Sequence, residues 1–139
     1  NQTPEGTFGQ NLKVFGSSDM IPEGGTGFIP GVANHSDAHD GFRTNIGLLN
    51  TSTERGSEVT IRIYDEAGDE AAVSMIVLAP AQFVQVNNIF GQMGMGDQIM
   101  DASVGIEVGS GGPVAAYASV ADNRTQDPIL IPAYPVALE

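Results

Sequence analysis

Apolar residues in this chain recur with period two, in short runs, and almost never with period 3.6. That pattern confines the chain to β architectures, because successive side chains of a strand face opposite sides of a sheet. The clearest run is Glu58 to Tyr64. Val59, Ile61 and Ile63 lie on one side, and Thr60, Arg62 and Tyr64 on the other. Phe42 to Asn50 places Phe42, Ile46 and Leu48 on one face, and Ser103 to Val108 does the same with Val104, Ile106 and Val108. Ala72 to Ala79 is apolar on both faces apart from Ser74, which predicts a covered central strand ended by Pro80. Gln82 to Val86 and Val114 to Ala121 read as further strands. Ile129-Leu130-Ile131, between Pro128 and Pro132, reads as an edge strand.

Turn signals separate these runs. Gly68 in Asp65-Glu66-Ala67-Gly68-Asp69 suits a hairpin, and Gly109-Ser110-Gly111-Gly112-Pro113 is a second turn. Asn87 is placed to cap one helical turn through Ile89-Phe90-Gly91, after which the glycine–methionine stretch Gly91 to Gly96 should be a loop. Seven strands lie between Phe42 and Pro132, and two more are expected at Thr7–Phe15 and Gly27–Val32. No connection holds an amphipathic helix long enough for a parallel crossover, so the expected fold is all-β, a sandwich or barrel.

A length of 139 residues fits one domain, and 41% hydrophobic residues are enough for a core. The net charge of −12, with five cationic side chains, argues against nucleic acid and against anionic membranes as partners. The excess acid reads as a device for solubility. There is no cysteine, hence no disulfide frame, thiolate nucleophile or cysteine-ligated metal. No apolar run approaches the ~20 residues of a membrane span, and no signal peptide is recognisable. The opening Asn1-Gln2-Thr3-Pro4 reads as the start of an excised or processed piece.

The two ends echo one another. Asn1-Gln2-Thr3-Pro4 precedes the Thr7–Phe15 run, and Asn123-Arg124-Thr125-Gln126-Asp127-Pro128 precedes Ile129–Ile131. Residues 1–26 are therefore expected to form an N-terminal strand and linker, as the tail of a preceding repeat would, and residues 27–139 the β-sandwich domain. Chance similarity of turn composition would give the same echo.

Phe42-Arg43-Thr44-Asn45-Ile46-Gly47-Leu48-Leu49-Asn50, the hairpin Val59 to Val77, and Gly112-Pro113-Val114-Ala115-Ala116-Tyr117-Ala118-Ser119-Val120-Ala121-Asp122-Asn123-Arg124-Thr125 resemble an immunoglobulin-like repeat. That repeat occurs in tandem or as a tail in large exported bacterial proteins. The resemblance spans roughly Phe42 to Ala133. It implies an antiparallel immunoglobulin-like β-sandwich of about seven to nine strands, with no agreed activity and no catalytic residues. The Asn34–Asp40 loop and the glycine–methionine loop lie outside its pattern.

Candidate chemistry is sparse. His35 and His39, with Asp37 or Asp40, have the residue types of a divalent metal site. The segment is not expected to be helical, however, so the i, i+4 spacing does not bring the imidazoles together, and a solvated polar loop is the preferred reading. No Gly-x-Ser-x-Gly accompanies the histidines. Asp65 to Glu70, or Asp97 with Asp101, would suit calcium, but neither matches an EF-hand loop. The glycines at 109–112 lead into Pro113 and a strand, which is not the context of a phosphate cradle. Met93, Met95 and Met100, with Phe90 and Ile99, form an apolar set that either closes the core or meets a partner. The Asn-x-Ser/Thr triplets at Asn1, Asn34, Asn50 and Asn123 have the composition of turns. Tyr64, on an outer strand face, is the best platform for a sugar ring.

These readings converge on a non-catalytic structural or interaction module of a secreted or cell-surface bacterial protein, with no cofactor. The alternative is an accessory sandwich, binding a divalent metal or a carbohydrate, attached to an exported enzyme. Expected partners are neighbouring domains of the same polypeptide, and a second copy through exchange of the Thr7–Phe15 strand. Neither nucleic acid nor membrane insertion is expected.

Overall fold

Eleven strands and one helical turn make up nearly all the regular structure in the computed structural model, which describes residues 2–3, 6–7, 15–35, 37, 41–95 and 98–136. The strands are β1 (Gln2–Thr3), β2 (Gly6–Thr7), β3 (Thr26–His35), β4 (Phe42–Asn50), β5 (Ser57–Tyr64), β6 (Glu70–Leu78), β7 (Phe83–Val86), β8 (Gln98–Ser110), β9 (Val114–Asp122), β10 (Pro128–Pro132) and β11 (Tyr134–Pro135). A 3₁₀ turn spans Ser17–Asp19, and α1 spans Ile89–Gln92. β1 and β2 pair only with each other; the other nine strands form one antiparallel sheet. The fold is therefore all-β and sandwich-like, with a strand number inside the expected range.

The sheet runs β10-β9-β4-β3-β8-β5-β6, with β7 beside β4 and β11 beside β3. It bends where β3 meets β4, since only His35 and Phe42 pair there. The bend divides it into two layers, β7-β4-β9-β10 and β11-β3-β8-β5-β6. Alternation then decides what is buried. Ile46 and Leu48 of β4, and Ala116 and Ala118 of β9, face Ile29, Val59, Ile61, Ile63, Val104 and Ile106 of the other layer. The small alanines on β9 leave room for the branched side chains opposite. Ile89 and Phe90 of α1 complete this core, and Phe90 is fully buried. Burying a side chain of that size contributes about 1.5–3 kcal/mol.

Buried polar groups tie loops to the layers. Asn50, with no exposed surface, donates to the carbonyls of Arg55 (2.8 Å) and Ala79 (3.1 Å) and accepts from the Ser52 amide (3.1 Å). Ser57 Oγ accepts from the Gly112 amide at 2.7 Å, and Thr44 Oγ1 donates to the Ala33 carbonyl at 2.6 Å. Ile21 is fully buried and exchanges both backbone bonds with Val114, so the chain has already entered the core ahead of β3.

Two expectations need correction. Ala72–Ala79 is not a covered central strand: β6 pairs with β5 alone and lies at the end of the sheet. An apolar run on both faces gives no information about how many neighbours a strand has. The helical turn is capped by Asn88, not Asn87; Asn88 takes φ 51° and its side chain accepts from the Gly91 amide. Asn87 contributes instead its carbonyl, which accepts from Gln92 Nε2 at 2.6 Å. The Ile129–Ile131 strand does lie at a sheet edge, as β10, and β11 was not foreseen. Most of the expected Thr7–Phe15 strand falls outside the described residues; of the two that are described, Thr7 lies in a strand, paired with Gln2, and Phe15 does not.

Candidate functional site

Three places on the molecule gather the side chains singled out by sequence. The first is the loop after β3. His35 ends that strand, and its Nδ1 accepts from the Asp37 amide at 3.2 Å. Asn123, in the turn after β9, pins this loop: its Nδ2 donates to the carbonyls of His35 (3.1 Å) and Asp37 (2.9 Å). Its Oδ1 accepts from Arg43 Nη1 at 3.2 Å, and Arg43 Nη2 reaches Gln126 Oε1. A cavity of about 230 Å³ opens beside them, lined also by Asn34, Phe42 and Asn88. His39 and Asp40 lie outside the described residues. Among the described residues, no group of three or more His, Cys, Asp or Glu side chains is close enough to hold a metal ion. Asp122 caps the same turn. It accepts from the amides of Thr125 (3.0 Å) and Arg124 (2.8 Å), and these bonds hold its carboxyl below the usual range.

The second place is the outer face of the five-stranded layer. Tyr64 sits there as expected, half-buried, over Gly105 of β8. Phe28 lies beside it with ring centroids 6.3 Å apart, and Tyr134 of β11 stands opposite Phe28. Arg62 crosses the face between two carboxylates, bonding Glu70 and Glu107 (3.2 Å to the latter). Both pairings raise its already high pKa, so the guanidinium is a fixed charge. Phe28 and Tyr134 were not singled out from sequence; each is an isolated aromatic there, and only strand pairing makes them neighbours.

The third place is the open side between the layers, where β6 and β7 are each paired on one side only among the described residues. Val73, Met75 and Val77 project outward from β6, exposed by 55%, 66% and 67%. Between the edges lies a cavity of about 180 Å³, lined by Ile61, Ile76, Val86, Ile89 and Met93. Met93 and Met95 pack on the core, while Met100 on β8 is exposed. Core closure therefore accounts for Met93 and Met95 and not for Met100. A signal for this side was present: no charged residue occurs between Glu70 and Asp97, in a chain with 17 acids and 5 bases.

No protein-family model matches the chain, and no curated protein sequence matches it. Solved structures do share its fold. The crystal structure of Thermotoga maritima 1070 superposes with a TM-score of 0.60 at 16% identity, covering 86% of this chain and 98% of that one. Anabaena sensory rhodopsin transducer superposes with a TM-score of 0.53 at 14% identity, covering 71% and 89%. At such identities the likeness is one of fold. No described helix is long and apolar enough to cross a membrane.

Proposed function

We propose that this chain is a non-catalytic structural or interaction module of a secreted or cell-surface bacterial protein, acting through its surfaces. The observation that carries the reading is the uncharged open side, where an apolar edge strand faces solvent in an otherwise acidic molecule. Natural sheets normally guard such edges with lysine, proline or bulges, so an unguarded one marks a place of contact. The use of the polar groups supports the same reading. Asn50, Ser57, Thr44 and Asn123 hold loops in place, and His35 commits Nδ1 to its own loop. The resemblance to exported repeats adds the compartment and the expectation of neighbouring domains.

Hydrogen exchange tests this reading. Amides of β6 and α1 should exchange more slowly in the full-length polypeptide in its native setting than in the separate 139-residue chain diluted until it is monomeric. Equal exchange throughout both segments would refute it.

The outer face of the five-stranded layer favours a second reading, carbohydrate binding. Phe28, Tyr64 and Tyr134 line that face beside the Glu70–Arg62–Glu107 group. Retention on a polysaccharide panel, lost in Tyr64→Ala, would establish it. Equal retention of that variant would remove it.

A further inference from the structure

The open side also specifies a partner, an assignment that rests on the interaction reading above. We infer that β6 pairs antiparallel with β6 of a second copy about a two-fold axis at Met75, joining two five-stranded layers edge to edge.

The strand is built for such pairing. β6 is nine residues long and bonded on one side only. From Ala72 to Leu78 it carries no lysine, proline or charge, and its single register shift falls at Ala71, just before that stretch. Val73, Met75 and Val77 stand opposite Arg62, Thr60 and Glu58 of β5, and among the described residues no strand pairs on their other side. A second copy would place Val77, Met75 and Val73 there in turn, at cross-strand distances of about 4.5–5.5 Å.

Charge selects both the partner and the register. Two copies at −12 each repel wherever their acids meet. They meet without opposed carboxylates on the side formed by residues 71–96. Residues 71–96 themselves offer a basic partner no acid; Glu58 lies one strand further in, and Glu70 is bonded to Arg62. An axis at Met75 sets Val73 against Val77 and Ala72 against Leu78, and it leaves each Glu70 beyond the paired stretch. The two Glu70 residues then lie about 34 Å apart along the ribbon, several times the screening length of about 8 Å at physiological salt. Moving the axis to Ser74 would instead set Glu70 against Leu78.

Light scattering after size-exclusion chromatography, from about 1 µM to about 1 mM, tests the assignment. The native chain should rise from 14.5 kDa toward twice that mass as concentration increases. Met75→Lys and Val77→Lys, at exposed positions off the core, should each remain at 14.5 kDa with the native far-ultraviolet spectrum. Ile129→Lys, on the distant β10 edge and 68% exposed, should dimerise like the native chain. A native monomer across the whole range overturns self-pairing. So does an unchanged mass rise in Met75→Lys, or an equal loss in Ile129→Lys. Dimerisation abolished by deleting residues 1–15 but kept in Met75→Lys would assign the contact to N-terminal strand exchange instead. A monomer whose β6 amides still gain protection in the full-length polypeptide would refute self-pairing alone and leave the interaction reading standing.

Discussion

Gly47 offers a sharp test of how the four-stranded layer is assembled. It lies on β4 between Tyr117 of β9 and Gln85 of β7. A Cβ added there would sit 2.1 Å from Tyr117 Cε1 and 2.2 Å from Cζ, and its three nearest atoms all belong to that side chain. The ring lies flat across the glycine, stacked on Phe83 with centroids 6.4 Å apart and planes 12° from parallel. Its hydroxyl donates to Gln85 Oε1 at 2.9 Å. Gly47→Ala must therefore push Tyr117 aside, losing a ring contact worth about 0.5–1.5 kcal/mol and a hydrogen bond worth about 0.5–1.5 kcal/mol. The expected loss is about 1–3 kcal/mol, which lowers Tm by roughly 3–10 °C in a chain of this size. In a Tyr117→Ala background the three atoms nearest to the added Cβ are gone. There it should stabilise by about 0.4–1 kcal/mol, because alanine restricts the unfolded chain. Urea unfolding followed by far-ultraviolet circular dichroism on all four chains closes the cycle. If Gly47→Ala is equally destabilising in both backgrounds, the ring does not explain the glycine and the reasoning fails.

Two further outcomes follow from the core and from the turn after β9. Phe90→Ala should destabilise by about 3–5 kcal/mol in the same urea assay, because α1 delivers this fully buried ring into the core; a loss under 1 kcal/mol would mean the turn is not seated there. Asp122→Asn should be less stable than the native chain at neutral pH, since the Thr125 and Arg124 amides favour the ionised carboxyl. A carboxyl whose folded pKa is depressed contributes stability that is present above the ordinary carboxylate pKa of about 4 and lost as pH falls through the lower folded value. Thermal melts of the two proteins should therefore converge in acid, and a gap that stays constant or widens below pH 4 would contradict the assignment.

The architecture was legible because it depends on local alternation. Val59, Ile61 and Ile63 announce both a strand and its buried face, and the same holds for Val104, Ile106 and Val108. Strand neighbours were not legible, because pairing is decided by the whole chain. Tyr134 and Phe28 lie far apart in sequence and stand directly opposite in the sheet. The Tyr117–Gly47 contact has the same origin: a glycine within a strand suggests a close approach without naming what approaches. The Asn87 and Asn88 caps differ by one position, and two adjacent asparagines offer the same chemistry until the backbone places one in the left-handed region.

β6 shows most plainly what alternation leaves undecided. Its sequence, apolar on both sides, satisfies a strand buried between layers, and reading it as central was the economical choice. At the sheet edge the same residues leave Val73, Met75 and Val77 in water, which folding of a single copy does nothing to relieve. A strand with interior chemistry in an edge position has an unused side for pairing and an uncovered apolar row. The same surplus of apolar surface therefore misled the sequence reading and points to contact with another chain. The misplacement and the candidate function have one physical cause.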